Sequence, residues 1–405
     1  MNAKASLTKS SPLTSPVRAS ISPPAISRKR KRPSEEGYAG TKSAEQPPRT
    51  SASPTLAPPP ANAIRIFAWN INGITSFLQT SISGYFQSTR KSSPSAEPEQ
   101  KQSLRDFLKR NHWPHIVNLQ EVKINPSDDV TKRAVKTAVN RNRNDANDDG
   151  PEYDVKFCLP ADKFNARGFG RKVYGVASII RKDFLERDVV RCREVDWDVE
   201  GRVLVVETKS KLAIFNIYAV NGTDNTYKDS TTGHVVGTRH DRKLAFHGLL
   251  LAECLRLEKE GWRVVLTGDM NISPQPIDGF PKLRTHPEQH VRNRADYNDK
   301  FLNGKNEHGL RAIDSFRYLH PEDRKYTWIS TTRPWLESCD RVDHILLSRS
   351  VCIPDEEIKG SKEPTAFENG LLSPSVTLLE ADVLMTPLDR GRSDHVPIYV
   401  TLLLQ

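Results

Sequence analysis

From Ala61 onward the chain alternates short runs of β-branched and aromatic residues with Gly, Pro, Asn and Asp. That is the texture of strands joined by turns. The runs predict strands over Ile64–Trp69, Ile116–Leu119, Val173–Ile180, Arg202–Thr208, Ala213–Tyr218, Arg263–Leu266, Val342–Leu347 and Pro397–Leu403. Between them the period changes. Leu104, Phe107 and Leu108 fall at helical spacing, and so do Leu244, His247, Leu251 and Leu255 within His240–Lys259. Strands with interleaved helices predict a mixed α/β fold whose sheets are covered by helices. Polar stretches at about 79–100, 140–150, 275–305 and 353–375 read as surface loops.

The first sixty residues differ from the rest. They carry eleven Pro, eleven Ser and one aromatic residue, Tyr38, too little apolar surface to offset the entropy of ordering. We read residues 1–60 as a disordered tail and 61–405 as the folded domain. The tail accounts for +7 of the net charge of +10, so the domain is only +3 and any basic binding face on it is local. Within the tail, Arg28-Lys29-Arg30-Lys31-Arg32-Pro33 is a cationic run of the kind read by nuclear import receptors. The Ser-rich, acid-free stretch 1–34 keeps mitochondrial targeting as the alternative to the nucleus. No apolar run reaches the ~18 residues of a spanning helix, which argues against the membrane. Five scattered cysteines without a CxxC pair read as reduced thiols rather than disulfides or a zinc site.

Candidate chemistry lies at the strand ends. Asn70 and Asn72 follow the first predicted strand, Glu121 the second, and Asp269 with Asn271 the run Arg263–Leu266. Tyr218 and Asn221 close another strand, Asp343 opens one, and Asp394-His395 precedes the last. Singly, each is an ordinary turn or cap residue. Together, polar groups at strand ends can converge on one rim of a sheet core.

In order and spacing, Trp69-Asn70-Ile71-Asn72-Gly73, Leu119-Gln120-Glu121, Tyr174-Gly175-Val176-Ala177, Gly268-Asp269-Met270-Asn271-Ile272-Ser273-Pro274, Arg341-Val342-Asp343 and Ser393-Asp394-His395 form a recognisable set. The set resembles the exonuclease III class of abasic-site endonucleases, within the endonuclease/exonuclease/phosphatase superfamily. The resemblance implies a four-layered α/β sandwich, two packed mixed sheets flanked by helices, with its site at one edge. It also implies a Mg2+-dependent (or Mn2+-dependent) DNA phosphodiesterase of base-excision repair, incising duplexes at abasic sites or trimming 3′ ends; a monomer is expected because nothing in the sequence demands a partner subunit.

A phosphodiester repels an incoming nucleophile and its leaving oxygen gains charge, so metal and hydrogen bonds must offset both. Mg2+ prefers oxygen ligands, one or two of them carboxylates. Glu121 is the first candidate ligand, with Asn70 and Asp394 in the same shell. Asp269 would orient or deprotonate the attacking water, and Asn271 would hold that water or a phosphate oxygen. His395 would donate to a non-bridging oxygen while Asp343 fixes its tautomer. The resemblance places Tyr218, counted among the catalytic groups, and Asn221 in a phosphate-contacting loop, and Asn72 among the substrate contacts. Gly168-Phe169-Gly170 reads as a turn, flanked by Arg167, Arg171 and Lys172 as candidate phosphate contacts, and Trp328 is expected to pack in the core.

Two features depart from the resemblance. Asp340 stands three residues before Asp343, where the class often has an aromatic lining the sugar pocket; Trp335 is a candidate replacement for the ring. The segment from Gly222 to about Arg239 is an insertion. These departures keep two alternatives open: a superfamily phosphodiesterase or phosphatase acting on another phosphoester, and a non-catalytic DNA-binding protein of the same fold.

Overall fold

A computed structural model describes residues 56–78, 103–141, 148–165, 174–349, 351 and 376–404. The tail to residue 55, with its cationic run, lies outside these residues, as do Gly168-Phe169-Gly170 with its neighbouring cations and most of the loops expected at 79–100, 140–150 and 353–375.

In chain order the elements are β1 (Ala63–Asn70), α1 (Leu104–Arg110), β2 (Ile116–Gln120), α2 (Asp129–Ala138), β3 (Tyr153–Cys158), β4 (Val176–Arg181), α3 (Lys182–Asp188), β5 (Val189–Glu194), β6 (Val203–Thr208) and β7 (Leu212–Tyr218). There follow β8 (Thr226–Lys228), β9 (Val235–Thr238), α4 (Arg239–Lys259), β10 (Arg263–Asp269), β11 (Gly279–Phe280), α5 (Glu288–Tyr297), β12 (Ile313–Asp314) and α6 (Ser315–Leu319). The chain ends with β13 (Trp328–Ile329), β14 (Cys339–Asp340), β15 (Asp343–Leu347), β16 (Val376–Val383), α7 (Pro387–Arg390) and β17 (Ile398–Leu404).

Two six-stranded mixed sheets result, in the orders β16-β17-β1-β2-β4-β3 and β12-β15-β10-β7-β6-β5. Side chains alternate across a strand, so each central strand feeds two apolar layers. Ile64, Ile66 and Ala68 of β1 meet Ile214 of β7, Val265 of β10 and Ile345 of β15 between the sheets. Phe67 and Trp69 point the other way, with Val117 and Leu119, against Leu104, Phe107 and Leu108 of α1. On the far side Phe215, Ile217, Val264 and Leu266 pack under Phe246, Leu250, Cys254 and Leu257 of α4. Three apolar interfaces separate four layers, and the expected sandwich is present. Among the described residues no helix is long and apolar enough to cross a membrane.

Near the functional end the inter-sheet space turns polar. Asn118 Nδ2 donates to Thr267 Oγ1 at 2.8 Å and Gln120 Nε2 to Asn216 Oδ1 at 2.8 Å. Asn216 Nδ2 donates back to Ala177 O at 2.9 Å. All these side chains are buried, so the bonds are needed for satisfaction as well as for registering one sheet on the other.

The largest correction concerns 275–305. It is structured: a helical turn over Pro276–Asp278, β11, α5 and a further turn over Asn298–Leu302. Its apolar anchors, Tyr297 and Phe301, are buried but too sparse among charged residues to show a period. β3, β5, β16, α2 and α3 were also not legible; β5 (VVRCRE) is an edge strand without a fully buried position, so no apolar run marks it. The insertion after Asn221 forms the β8–β9 hairpin and hands over to α4 through a capping box, in which Thr238 and Asp241 bond each other's backbone.

Candidate active site

Strand direction assembles the rim. β1 and β2 are parallel, as are β7 and β10, so the C-terminal ends of all four deliver Asn70, Gln120-Glu121, Tyr218 and Asp269 to one edge. β15 is antiparallel to β10, which sets Asp343 opposite Asp269, and β17 is antiparallel to β1, which brings Asp394-His395 to the same edge.

The turns beyond the strands aim the side chains. Asn70 Oδ1 accepts the Asn72 N–H at 3.0 Å and Asp269 Oδ1 accepts the Asn271 N–H at 2.8 Å, the same short loop at the end of each sheet's central strand. Asn72 and Asn271 have φ of 50° and 53°, a left-handed backbone that Asn tolerates through such local bonds. Glu121 also has φ of 50°, without that advantage, at a cost of about 1–2 kcal/mol. Strain of this kind held at a carboxylate motivates a functional reading of Glu121.

Asp269, Asp343 and His395 gather with one potential ligand atom each within 4.8 Å of the others. His395 Nδ1 lies 2.8 Å from Asp343 Oδ2, and its Nε2 lies 4.0 Å from Asp269 Oδ2. Burial opposes a charge on the ring, but the carboxylates of Asp343, Asp269 and Asp394 outweigh it and raise the pKa to about 10. Both ring nitrogens of the resulting imidazolium are donors. Burial, then the Asp343 charge, raises Asp269 to about 7 against His395 and the Asn70 and Asn271 bonds. Asn70 Nδ2 reaches Asp269 Oδ2 at 3.0 Å and Asn271 Nδ2 reaches it at 3.3 Å.

The His395 shift has a measurable sign. A folded-state pKa above the ordinary 6.5 contributes stability that is complete below pH 6.5 and is lost as pH rises through about 10. His395→Gln is therefore expected to flatten the decline of urea-unfolding free energy between these values; an unchanged slope would refute the charged pair.

On the outer rim, Glu121 Oε1 accepts from the Tyr218 hydroxyl at 2.6 Å and Oε2 lies 2.9 Å from Lys123 Nζ. Burial works against ionisation of Glu121, yet Lys123 and the Tyr218 hydroxyl more than compensate and hold it below the usual range. Lys123 also bonds Asn72 Oδ1, Asn72 Nδ2 donates to Asp394 Oδ1 at 2.8 Å, and Trp328 Nε1 donates to Asp394 Oδ2 at 3.1 Å. At Asn70 the side-chain oxygen accepts the Asn72 N–H, and the group it turns to Glu121 is its NH2, a donor at 3.3 Å.

The donor set fits a hard divalent cation. Glu121 and Asp394 offer carboxylate oxygens on the rim, and Asp343 Oδ1 is a buried acceptor with no hydrogen-bond partner among the described residues. His395 is a poor ligand for such an ion, since Nδ1 is held by Asp343 and the surrounding carboxylates favour a proton on Nε2. Lys123 would compete with a cation for Glu121. Lys123→Met is expected to lower the Mg2+ concentration that half-saturates thermal stabilisation about fivefold, the equivalent of about 1 kcal/mol of removed repulsion; an unchanged or higher concentration would place the ion elsewhere.

These groups open into a polar cleft of about 280 Å³. Tyr218 and Asn221 line it, with Asn221 exposed at its mouth, whereas Asn70 and Asn72 stand behind and beside the lining groups. Trp328 does not pack away in the core: it bridges to the His395 backbone and lines the cleft. Asp340 faces the cleft too, accepting from Ser273 Oγ at 3.2 Å, with its carboxyl raised by burial against the pull of Ser273, Arg284 and Arg294. Trp335 supplies no replacement ring, because it packs against the inter-sheet core with Arg390 4.9 Å from its centroid. Arg341, conspicuous in the Arg-Val-Asp stretch, is buried and paired to Asp278 at 2.7 Å and Asp314 at 2.8 Å, anchoring the approach to Asp343.

Lys243, Arg284, His290, Asn293 and Arg294 line the cleft and escaped sequence reasoning. The last four come from the segment read as a loop. Lys243 lies in a correctly predicted helix, where only its place beside His247 on one face hinted at burial.

No curated protein sequence matches the chain. Among solved structures it is similar to the catalytic domain of APE2 from Xenopus laevis, with 18% identity, 84% of this chain and 92% of that one covered and a TM-score of 0.50. It is also similar to the 3′ phosphatase NExo from Neisseria bound to product DNA hairpin, with 17% identity, coverage of 83% and 98% and a TM-score of 0.47. An AP endonuclease from Archaeoglobus fulgidus gives 17% identity, coverage of 83% and 98% and a TM-score of 0.47. At such identities the likeness is one of fold. The sequence pattern of the Endonuclease/Exonuclease/phosphatase family matches residues 67–395, a span that includes every group on the rim, and the chain belongs to that family.

Proposed function

We propose that the protein is a Mg2+-dependent DNA phosphodiesterase, with Mn2+ able to substitute, that incises duplexes at abasic sites or trims 3′ ends in base-excision repair. The observation that carries the proposal is the pair Asp343–His395 at 2.8 Å, with Asp269 4.0 Å from the far ring nitrogen and His395 and Asp269 both lining one cleft. Asp269, lifted toward neutrality and held by Asn70 and Asn271, orients and deprotonates the attacking water. His395, held by Asp343, donates from Nε2 to a non-bridging phosphoryl oxygen as charge develops. Asn271 steadies the water, Tyr218 orients Glu121, Asn221 meets the substrate at the mouth, and Asn72, exposed beside the cleft, contacts it outside. Glu121 with Asp394 would hold the divalent ion, which when bound polarises the phosphoryl oxygen and stabilises the leaving oxygen. The cationic run at 28–33 supports nuclear import, and the near-neutral domain leaves duplex attraction to a local basic wall and to the tail as a tether.

A second reading, hydrolysis of a different phosphoester at the same centre, is favoured by the cleft wall. Asp340, Ser273, Arg284 and Arg294 make it more polar than an aromatic-lined sugar pocket. Labelled duplexes, one intact, one with a single abasic analogue and one with a blocked 3′ end, separate the readings when incubated with Mg2+ or chelator. Mg2+-dependent cleavage of the abasic or blocked duplex supports the first. Release of phosphate from a small phosphoester without DNA cleavage replaces it with the second, and tight DNA binding without turnover excludes both.

A further inference from the structure

Lys243 sits in the second turn of α4, is 2% exposed, and lines the cleft beside Asp269 and Asn271. Its ammonium donates to Asn271 O at 2.8 Å and, at the limit of a bond, to Met270 O at 3.5 Å. Among the described residues no carboxylate forms an ion pair with it. The neighbouring cations of α4 are treated differently. Arg239 is paired to Glu200 at 2.7 Å, and Arg242 to Glu200 at 3.1 Å and Asp198 at 3.2 Å. A buried ammonium with only neutral carbonyl partners is unfavourable, and burial, with Arg202 adding repulsion against the Asp269 charge, brings its pKa down to about 7. An ammonium has three N–H groups, and one good bond plus one long one leaves donor capacity on the cleft side.

We propose that Lys243 anchors the substrate anion: its spare N–H takes a non-bridging oxygen of the phosphoryl group that Asp269 and His395 act on. This rests on the phosphoesterase reading above. The arriving phosphate supplies the negative partner that the protein withholds, so the charge is satisfied only in the complex. A purely structural role, clamping the Met270–Asn271 turn, makes the opposite demand, since the lysine would then matter equally with and without an anion.

The test compares wild type, Lys243→Met, Lys243→Arg and, as an exposed control on the same helix, Lys259→Met. Inorganic phosphate, with chelator present, is expected to raise the Tm of wild type and of the control, to lose at least half that shift in Lys243→Met, and to regain most of it in Lys243→Arg. On an abasic-analogue duplex with Mg2+, kcat/KM of Lys243→Met is expected to fall about 10- to 100-fold with partial recovery in the arginine variant. If the methionine variant does not fold, Lys243→Gln, which keeps a donor and most of the length, takes its place. An equal phosphate shift in wild type and Lys243→Met, or no shift in wild type, overturns the assignment. Should wild type respond to phosphate through Lys243 yet cleave no DNA, the anchor stands and the proposed substrate falls.

Discussion

Asp269→Asn is expected to lower the single-turnover rate of phosphodiester cleavage by about 10³-fold while leaving substrate affinity within a few-fold, because the amide keeps the shape and loses the basic oxygen. The environment sharpens the effect. Asp269 receives donors from the Asn70 side chain and from both the backbone and side chain of Asn271, so an NH2 there also faces other N–H groups. Stability carries a second signature. A carboxyl raised from 3.8 to about 7 contributes stability that is complete below pH 3.8 and is lost as pH rises through 7, because above that the folded state holds a buried negative charge beside Asp343. The misplaced NH2 lowers stability equally at every pH, so in chelator the asparagine variant should lose less urea-unfolding free energy than wild type between pH 5 and pH 8. Near-full activity in Asp269→Asn would remove this residue from the water-activating role, and equal losses between pH 5 and pH 8 would remove the raised pKa.

The second large effect is expected from a residue with no side chain. Gly268 precedes Asp269 with φ of 127°, and a Cβ there would lie 2.1 Å from Ile217 O and 3.0 Å from Gln120 Nε2. The first contact is with backbone of the adjacent parallel strand, at the registered pair Gly268–Ile217, and cannot be relieved by rotating a side chain. Gly268→Ala is expected to cost about 3–5 kcal/mol, the sum of overpacking and an unfavourable backbone conformation. That is a large part of the stability of an ordinary domain. The damage reaches the site, because the next registered pair is Asp269–Tyr218 and Gln120 precedes Glu121. Unfolding midpoints check the stability. Gly248→Ala, in α4 where an added methyl meets nothing within 4 Å, serves as the tolerant control. Wild-type stability in Gly268→Ala would mean that β7 and β10 are not held this closely.

Local sequence carried the central strands, the long helix and the short words at strand ends, because these depend on interactions within a few residues. Asn70-Ile71-Asn72 and Asp269-Met270-Asn271 look like turns and are turns, each closed by a side-chain oxygen on the N–H two residues on. The alternation of inward and outward apolar residues in β1 is equally local. Elements with little buried surface were illegible for the corresponding reason: β5 has no apolar run, and the helix that supplies His290, Asn293 and Arg294 is mostly polar.

Only the tertiary structure decided what the turns are for. Asp343 and His395 are fifty-two positions apart in sequence, and Asn70 and Asp269 almost two hundred, so no local period can report that each pair shares a hydrogen bond. Parallel pairing of β1 with β2 and of β7 with β10 brings their ends to one edge, and antiparallel β15 and β17 return the remaining groups there. The same packing determines that the Asn70 amide oxygen is spent on the backbone, that Trp328 and not Trp335 faces the cleft, and that Lys243 is buried without a counter-ion among the described residues. Residue types along the chain set which chemistry is available. Charge, burial and orientation, which arise only when distant strands share a rim, determine which of those residues can take part.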